Sequence, residues 1–229
     1  MSTDRQQTAV PVEDAGETTA TRYEGGDPSR PCFILAHGAG AGQHHPFIVQ
    51  TSTALAARGI NVLTFDFLYM HRGRGGPDRP PVLEATWRAV IRCAAQLGWG
   101  KTRLVIGGKS MGGRIASMVL AGDAALPLPA AVHGLVLLGY PLHPPGRPDK
   151  LRVEHLPRLT TPTLIVQGER DDFGSPAEVR AAFKQSPAHV DWLEVPGGDH
   201  SFKISRAAGR TQTEVQAEIT DVVATWILG

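Results

Sequence analysis

The chain has 229 residues, with 23 Lys+Arg against 22 Asp+Glu, and so carries a formal net charge of +1 on a length that suits one globular domain, residues 1–229. That balance leaves no basic or acidic excess of the kind that binds nucleic acid or an anionic membrane surface. Its 41% hydrophobic and 20% charged residues are ordinary for a core-forming protein, and no apolar run approaches the length needed to cross a bilayer.

The first 28 residues are polar and read as an edge hairpin. They hold no apolar stretch behind a basic start, so they do not resemble a signal peptide, and a cytoplasmic location is expected. Cys32 lies in an apolar run and Cys93 in a predicted helix, which suits buried, reduced thiols. "CFILAHG" (Cys32–Gly38) predicts a strand, followed by a helix from Pro46 to Arg58. "INVLTFDF" (Ile60–Phe67) predicts a second strand, and "PPVLEATWRAVIRCAAQLG" a helix entered through Pro and closed by Gly. Thr102–Gly108 is a third strand running directly into a helix over Ser110–Leu120. Ala131–Gly139, Thr161–Gly168 and His189–Gly197 are three more strands, and helices are expected at Pro176–Lys184 and Thr211–Leu228.

Runs rich in Val, Ile and Leu without strict alternation imply burial on both faces. Their alternation with helices predicts a mostly parallel central sheet flanked by helices on both faces. In such sheets function collects beyond the C-terminal ends of the strands.

One of those ends carries "GGKSMGGR" (Gly107–Arg114), which matches the tail of a phosphate-binding P-loop and also G-x-S-x-G. A P-loop needs a glycine five positions before Gly108, where Arg103 stands, and it needs loop where Thr102–Ile106 reads as strand. Gly108-Lys109-Ser110-Met111-Gly112 instead closes a strand and opens a helix, the setting of a nucleophile elbow.

A serine hydroxyl needs a base, and the base an orienting acid, in the chain order Ser, acid, His. His200 in "PGGDHSF" follows the last strand on a glycine turn. His133 and His189 adjoin strand starts at the opposite end of the sheet, and His143 and His155 fall in a Pro-rich connection and read as surface. Asp171 in "QGERDDFG" is the expected acid, with Asp172 as the alternative; "LVLLGYPLHPPG" offers no carboxylate, and Asp199 reads as a cap on its own turn. Oxyanion donors are expected from the N–H of Met111 and from the "HGAGAG" loop, at Ala39 first and Gly40 next, with His37 bracing that loop.

With Ser110, Asp171 and His200 in order, the chain resembles the α/β-hydrolase superfamily over most of its length, and within it the small, lid-poor, dienelactone-hydrolase-like branch. Phe65–Trp87 and "QGERDDFG" also resemble the KANL/Tex group. The resemblance implies an α/β-hydrolase fold and a serine hydrolase, most simply a carboxylesterase with a small-molecule ester substrate. Acyl transfer or thioester cleavage would use the same three groups, whereas a non-catalytic binding or scaffold protein would need none of them.

Lys109 departs from the commoner apolar residue beside the nucleophile and reads as solvent-facing, with contact to an anionic substrate as the other reading. His71, Arg72 and Arg74 share the same end of the sheet and are candidates for holding a substrate carboxylate or phosphate. The Tyr140–Pro162 connection is too short and Pro-rich for a cap domain, which implies an open, shallow site. His44 and His45 are adjacent and lack acidic partners, so no metal is expected, nor any other cofactor; a monomer or a homodimer fits.

Overall fold

A computed structural model describes residues 6–122, 127–205 and 209–229, so the first five residues of the expected hairpin lie outside it. The runs without alternation are strands buried on both sides. In β3 (Cys32–Ala36), Cys32, Ile34 and Ala36 enter one core while Phe33 and Leu35 enter another. β6 (Gly134–Leu138) divides the same way, Leu135 and Leu137 against Val136 and Leu138.

These strands belong to one sheet with β1 (Gln7–Val12), β2 (Gly16–Tyr23), β4 (Asn61–Phe65), β5 (Leu104–Lys109), β7 (Thr163–Gly168) and β8 (Val190–Val195), in the order β1-β2-β4-β3-β5-β6-β7-β8. Pairing is parallel from β4 through β8, and the β1–β2 hairpin joins antiparallel at the β4 side.

α1 (Pro46–Ala56) and α6 (Gln212–Leu228) cover one face, and α3 (Pro80–Gln96), α4 (Met111–Leu120) and α5 (Pro176–Phe183) the other. Their ends reflect local chemistry. Pro opens α1, α3 and α5, while Ser175 with Glu178 and Thr211 with Glu214 form capping boxes on α5 and α6.

The sheet order explains where a site forms. The chain leaves β3 for β4 on one side and returns across it to β5 on the other. The loops after β3 and β5 therefore part, and a crevice opens at their C-terminal ends.

β4 ends at Phe65, two residues before the expected end. Asp66 leaves the ladder because its Oδ1 accepts from Gln43 N at 2.7 Å, and the chain then enters a single turn, α2 (Leu68–His71). Phe67 is fixed there by Phe65, with Trp87 on the far side of Phe65; the ring centroids lie 5.1 and 5.0 Å apart, edge to face. Full burial of each such side chain stabilises the fold by about 1.5–3 kcal/mol.

The Tyr140–Pro162 connection carries no cap domain; its one helical turn spans Leu156–Arg158. Leu156 and Leu159 are buried in the core, and Tyr140 Oη donates to Arg152 O at 2.6 Å, so the segment lies flat against the body. His143 and His155 are buried rather than on the surface, His155 with Nε2 2.8 Å from Ser117 Oγ. Cys32 and Cys93 are buried free thiols. Among the described residues, no helix is long and apolar enough to cross a membrane.

Candidate functional site

Ser110 stands between the last residue of β5 and the first of α4 with φ 51° and ψ −119°, a left-handed backbone that a non-glycine residue adopts only when its surroundings impose it. The surroundings are tight packing. A Cβ on Gly112 would stand 2.4 Å from His37 O, and one on Gly108 would stand 2.5 Å from Ala36 O. Glycine at 112 lets α4 press against the end of β3 and glycine at 108 lets β5 lie close beside it, and this strand-to-helix turn holds the Ser110 hydroxyl out into the crevice, beside the N-terminus of α4.

His200 reaches this hydroxyl from the turn after β8, with Nε2 2.8 Å from Ser110 Oγ. Its Nδ1 lies 2.7 Å from Asp171 Oδ2, on the turn after β7. A carboxylate only accepts, so Nδ1 carries the proton and Nε2 presents a lone pair to the serine. Asp171 is buried, whereas Asp172, the alternative acid, is exposed. Asp199 Oδ1 accepts from Ser201 N at 2.7 Å and Lys203 N at 2.9 Å, which caps the histidine turn.

Two partners of this relay had no place in the sequence reading. Gln167 Nε2 donates to Asp171 Oδ2 at 2.9 Å and to Gly174 O at 2.8 Å, while its Oε1 accepts from Tyr140 N at 2.8 Å. A buried amide thus sets the carboxylate's angle, and the one amide side chain in the apolar run "TLIVQG" is the signal that marks it. Phe173 N donates to Asp171 Oδ1 at 2.8 Å, and the Phe173 ring lies against His200 with centroids 4.2 Å apart.

The loop after β3 is fixed from the other side. His37 Nε2 accepts from Phe67 N at 3.0 Å, so its Nδ1 is the protonated nitrogen and donates to Gly38 O at 2.7 Å. Burial pushes the His37 ring below its ordinary value, which favours this neutral form. Tyr69 Oη donates to Ala39 O at 2.8 Å. Because peptides are planar, holding these two carbonyls also fixes the N–H groups of Ala39 and Gly40. Nothing in "FDFLYM" singles out Tyr69 for this task.

Ser110, His200, Met111, Ala39 and Gly40 line a cleft of about 690 Å³, within the range of small-molecule sites and larger than a shallow groove. Phe47 and Ile48 of α1 and Gln212 and Gln216 of α6 also line it, as do Pro77, Leu83 of α3, Arg114 of α4 and Arg152. His71, Arg72 and Arg74 are not among its lining residues. All three are exposed; His71 Nδ1 lies 3.4 Å from Thr19 Oγ1, and Arg72 donates to Ala15 O in the hairpin. His71 and Arg72 are thus held by the β1–β2 hairpin, and all three basic side chains stay outside the cleft. His45 does line it, and its Nδ1 accepts from Phe47 N at 3.3 Å as the cap of α1.

Lys109 does not face solvent as expected. Its Nζ is buried without a hydrogen-bond partner among the described residues, 5.2 Å from the Phe202 ring centroid, beneath the turn that carries His200. Burial pushes the ammonium down to about 8, with Asp171 and Asp199 pulling the other way.

A family described as an alpha/beta hydrolase domain matches residues 29–228. Among solved structures, the chain is similar to a dienelactone hydrolase from Anabaena variabilis, at 16% identity and a TM-score of 0.73, covering 98% of this chain and 97% of that one. A lidless α/β serine hydrolase from Xanthomonas campestris is 17% identical with a TM-score of 0.72, over 99% and 96% of the two chains. Est1E from Butyrivibrio proteoclasticus is 16% identical with a TM-score of 0.70, over 97% of each. At these identities the likeness to solved structures is one of fold, and it is the mostly parallel, lid-poor α/β architecture expected from the sequence.

Proposed function

The chain belongs to the alpha/beta hydrolase domain family, and from that premise we propose that it is a serine hydrolase that cleaves carboxylic esters through an acyl-enzyme. Ser110 Oγ attacks the ester carbonyl while His200 Nε2 takes its proton, and Asp171 holds the imidazolium that forms. The carbonyl oxygen becomes an oxyanion between the N–H groups of Ala39 and Met111, with Gly40 alongside. His200 then returns the proton to the departing alcohol, and a water activated by the same nitrogen releases the acid and restores Ser110.

The observation that carries this reading is the geometry of one ring. His200 lies within hydrogen-bond reach of both Ser110 and Asp171, in the one tautomer that leaves a base facing a hydroxyl. The strained backbone of Ser110 at the N-terminus of a helix adds support, because it exposes the hydroxyl where developing negative charge is favoured. Structural neighbours that include a dienelactone hydrolase and a lidless serine hydrolase are consistent with it.

A p-nitrophenyl ester series of increasing acyl length, run with wild type and Ser110→Ala, tests the reading. Turnover of short esters that disappears in the variant is expected. No turnover by the wild type, or equal turnover by the variant, would sink it.

A further inference from the structure

Arg114 and Arg152 both line the cleft that holds Ser110, and they are close enough for the charge of one to act on the other. Arg114 lies four residues beyond Ser110 on α4, about 6 Å along the helix axis. Arg152 comes from the flat Tyr140–Pro162 segment. Neither guanidinium has a carboxylate within 4 Å among the described residues.

Their own hydrogen bonds are few. Arg114 Nη1 lies 3.3 Å from the Met118 sulfur, and its buried Nε has no partner among the described residues. Arg152 Nη1 donates to Pro141 O at 2.9 Å. Each guanidinium carries five N–H donors in a planar fork, so most of that capacity is unspent.

The nearest acids do not fill it. Asp78, on the same cleft wall, accepts from Tyr69 N at 2.8 Å. Glu84 and Glu154 act on Arg114 from beyond ion-pair distance, and burial pushes the Glu84 carboxyl above its ordinary value. Arg114 itself is pushed below its ordinary value by burial first and by the charge of Arg152 next. Two like charges sharing one partly buried wall are unfavourable until an anion lies between them.

We propose that Arg114 and Arg152 form an anion subsite of the cleft, and that the ester this protein cleaves carries a carboxylate or phosphate about one helical turn from its reacting carbonyl. This deepens the serine-hydrolase reading and rests on it for the ester. The anion subsite itself does not depend on Ser110. The fork geometry of both groups suits either anion, because carboxylate and phosphate each accept two parallel N–H bonds.

The test compares monomethyl adipate with methyl hexanoate, a pair that differs mainly in the terminal charge, and adds methyl 4-(phosphonooxy)butanoate as the phosphate arm. Wild type should favour an anionic member in kcat/KM. Arg114→Met and Arg152→Met should each lower the anionic-to-neutral ratio at least tenfold, and Arg74→Met, outside the cleft, should leave that ratio in place. Which anionic ester leads decides between carboxylate and phosphate.

Calorimetry of adipate and of inorganic phosphate on Ser110→Ala gives a second readout that needs no catalysis, with at least tenfold weaker binding expected when either arginine is also replaced. Arginine-dependent binding with no ester turnover would uphold the subsite and defeat the hydrolase reading. Turnover of neutral esters with a ratio and a binding constant indifferent to both arginines would overturn the subsite alone. If Arg114→Met does not fold, Arg152→Met, outside any helix, carries the test unaided.

Discussion

On the β3 side of the cleft, side chains hold backbone: His37 grips Gly38 O, Tyr69 grips Ala39 O, and Phe67 N secures His37 in turn. On the β7 side, side chains hold side chains, in a line from Gln167 through Asp171 and His200 to Ser110. The difference matches two tasks. A group that only has to present fixed N–H dipoles is best built from peptide planes that cannot rotate. A group that has to move a proton needs rings and carboxylates aligned atom to atom, with one tautomer selected.

The β7 side should therefore break hard and the β3 side gradually. Asp171→Asn replaces the acceptor facing His200 Nδ1 with an amide that can turn an N–H towards it, favouring the wrong tautomer. A kcat loss on the order of 10³–10⁴ with an intact fold is expected by steady-state kinetics and circular dichroism. A loss under about tenfold would mean that the relay is not in use.

Gln167→Leu keeps the volume but frees the carboxylate. We expect kcat to fall by roughly 10–100-fold with KM little changed, because misplacement of a reacting group acts on the transition state. Equal changes in kcat and stability with no effect on the pH profile would reduce Gln167 to a packing role. On the other side, Tyr69→Phe removes one hydrogen bond to Ala39 O, and a three- to tenfold loss in kcat is expected. An effect as large as that of Gln167→Leu would erase the contrast between the two sides.

Lys109 lies under the β7 side, and its effect should be the smallest on rate and opposite in sign on stability. Burial lowers its folded-state value to about 8 from an ordinary 10.5, so the folded protein resists the proton that the unfolded chain accepts. Wild-type stability thus rises between about pH 8 and 10.5 and is lowest, for this residue, below that window. Lys109→Met should raise Tm by about 3–8 °C at pH 7, with the gain shrinking towards pH 10.5 in thermal melts. A lower Tm at pH 7 would contradict the buried, unpartnered ammonium.

Strand ends are the part of the site that the sequence makes legible. Ser110, Asp171 and His200 each lie at or on the turn just after an apolar run, so their place in the chain carries their place in the fold, and the structure brings these three together. The choice between Asp171 and Asp172 is only half legible, since it depends on which carboxylate the turn after β7 buries. Tyr69 is invisible, because its task arises from packing between segments some 30 residues apart.

His143 and His155 mislead for the same reason: a Pro-rich stretch suggests surface, yet Leu156 and Leu159 pull the segment into the core, and burial holds the His155 ring down to about 4. The basic loop at His71–Arg74 misleads because nearness in sequence is not nearness to the cleft. The arginines that line it, Arg114 and Arg152, stand 38 positions apart.

The most direct test of the central claim is intact-protein mass spectrometry after treatment with a fluorophosphonate, on wild type and Ser110→Ala side by side. One covalent adduct on the wild type, mapped to the Gly107–Arg114 segment and absent from the variant, is the predicted result. An adduct that persists in Ser110→Ala would place the nucleophile elsewhere, and a wild type that never labels would contradict an activated Ser110.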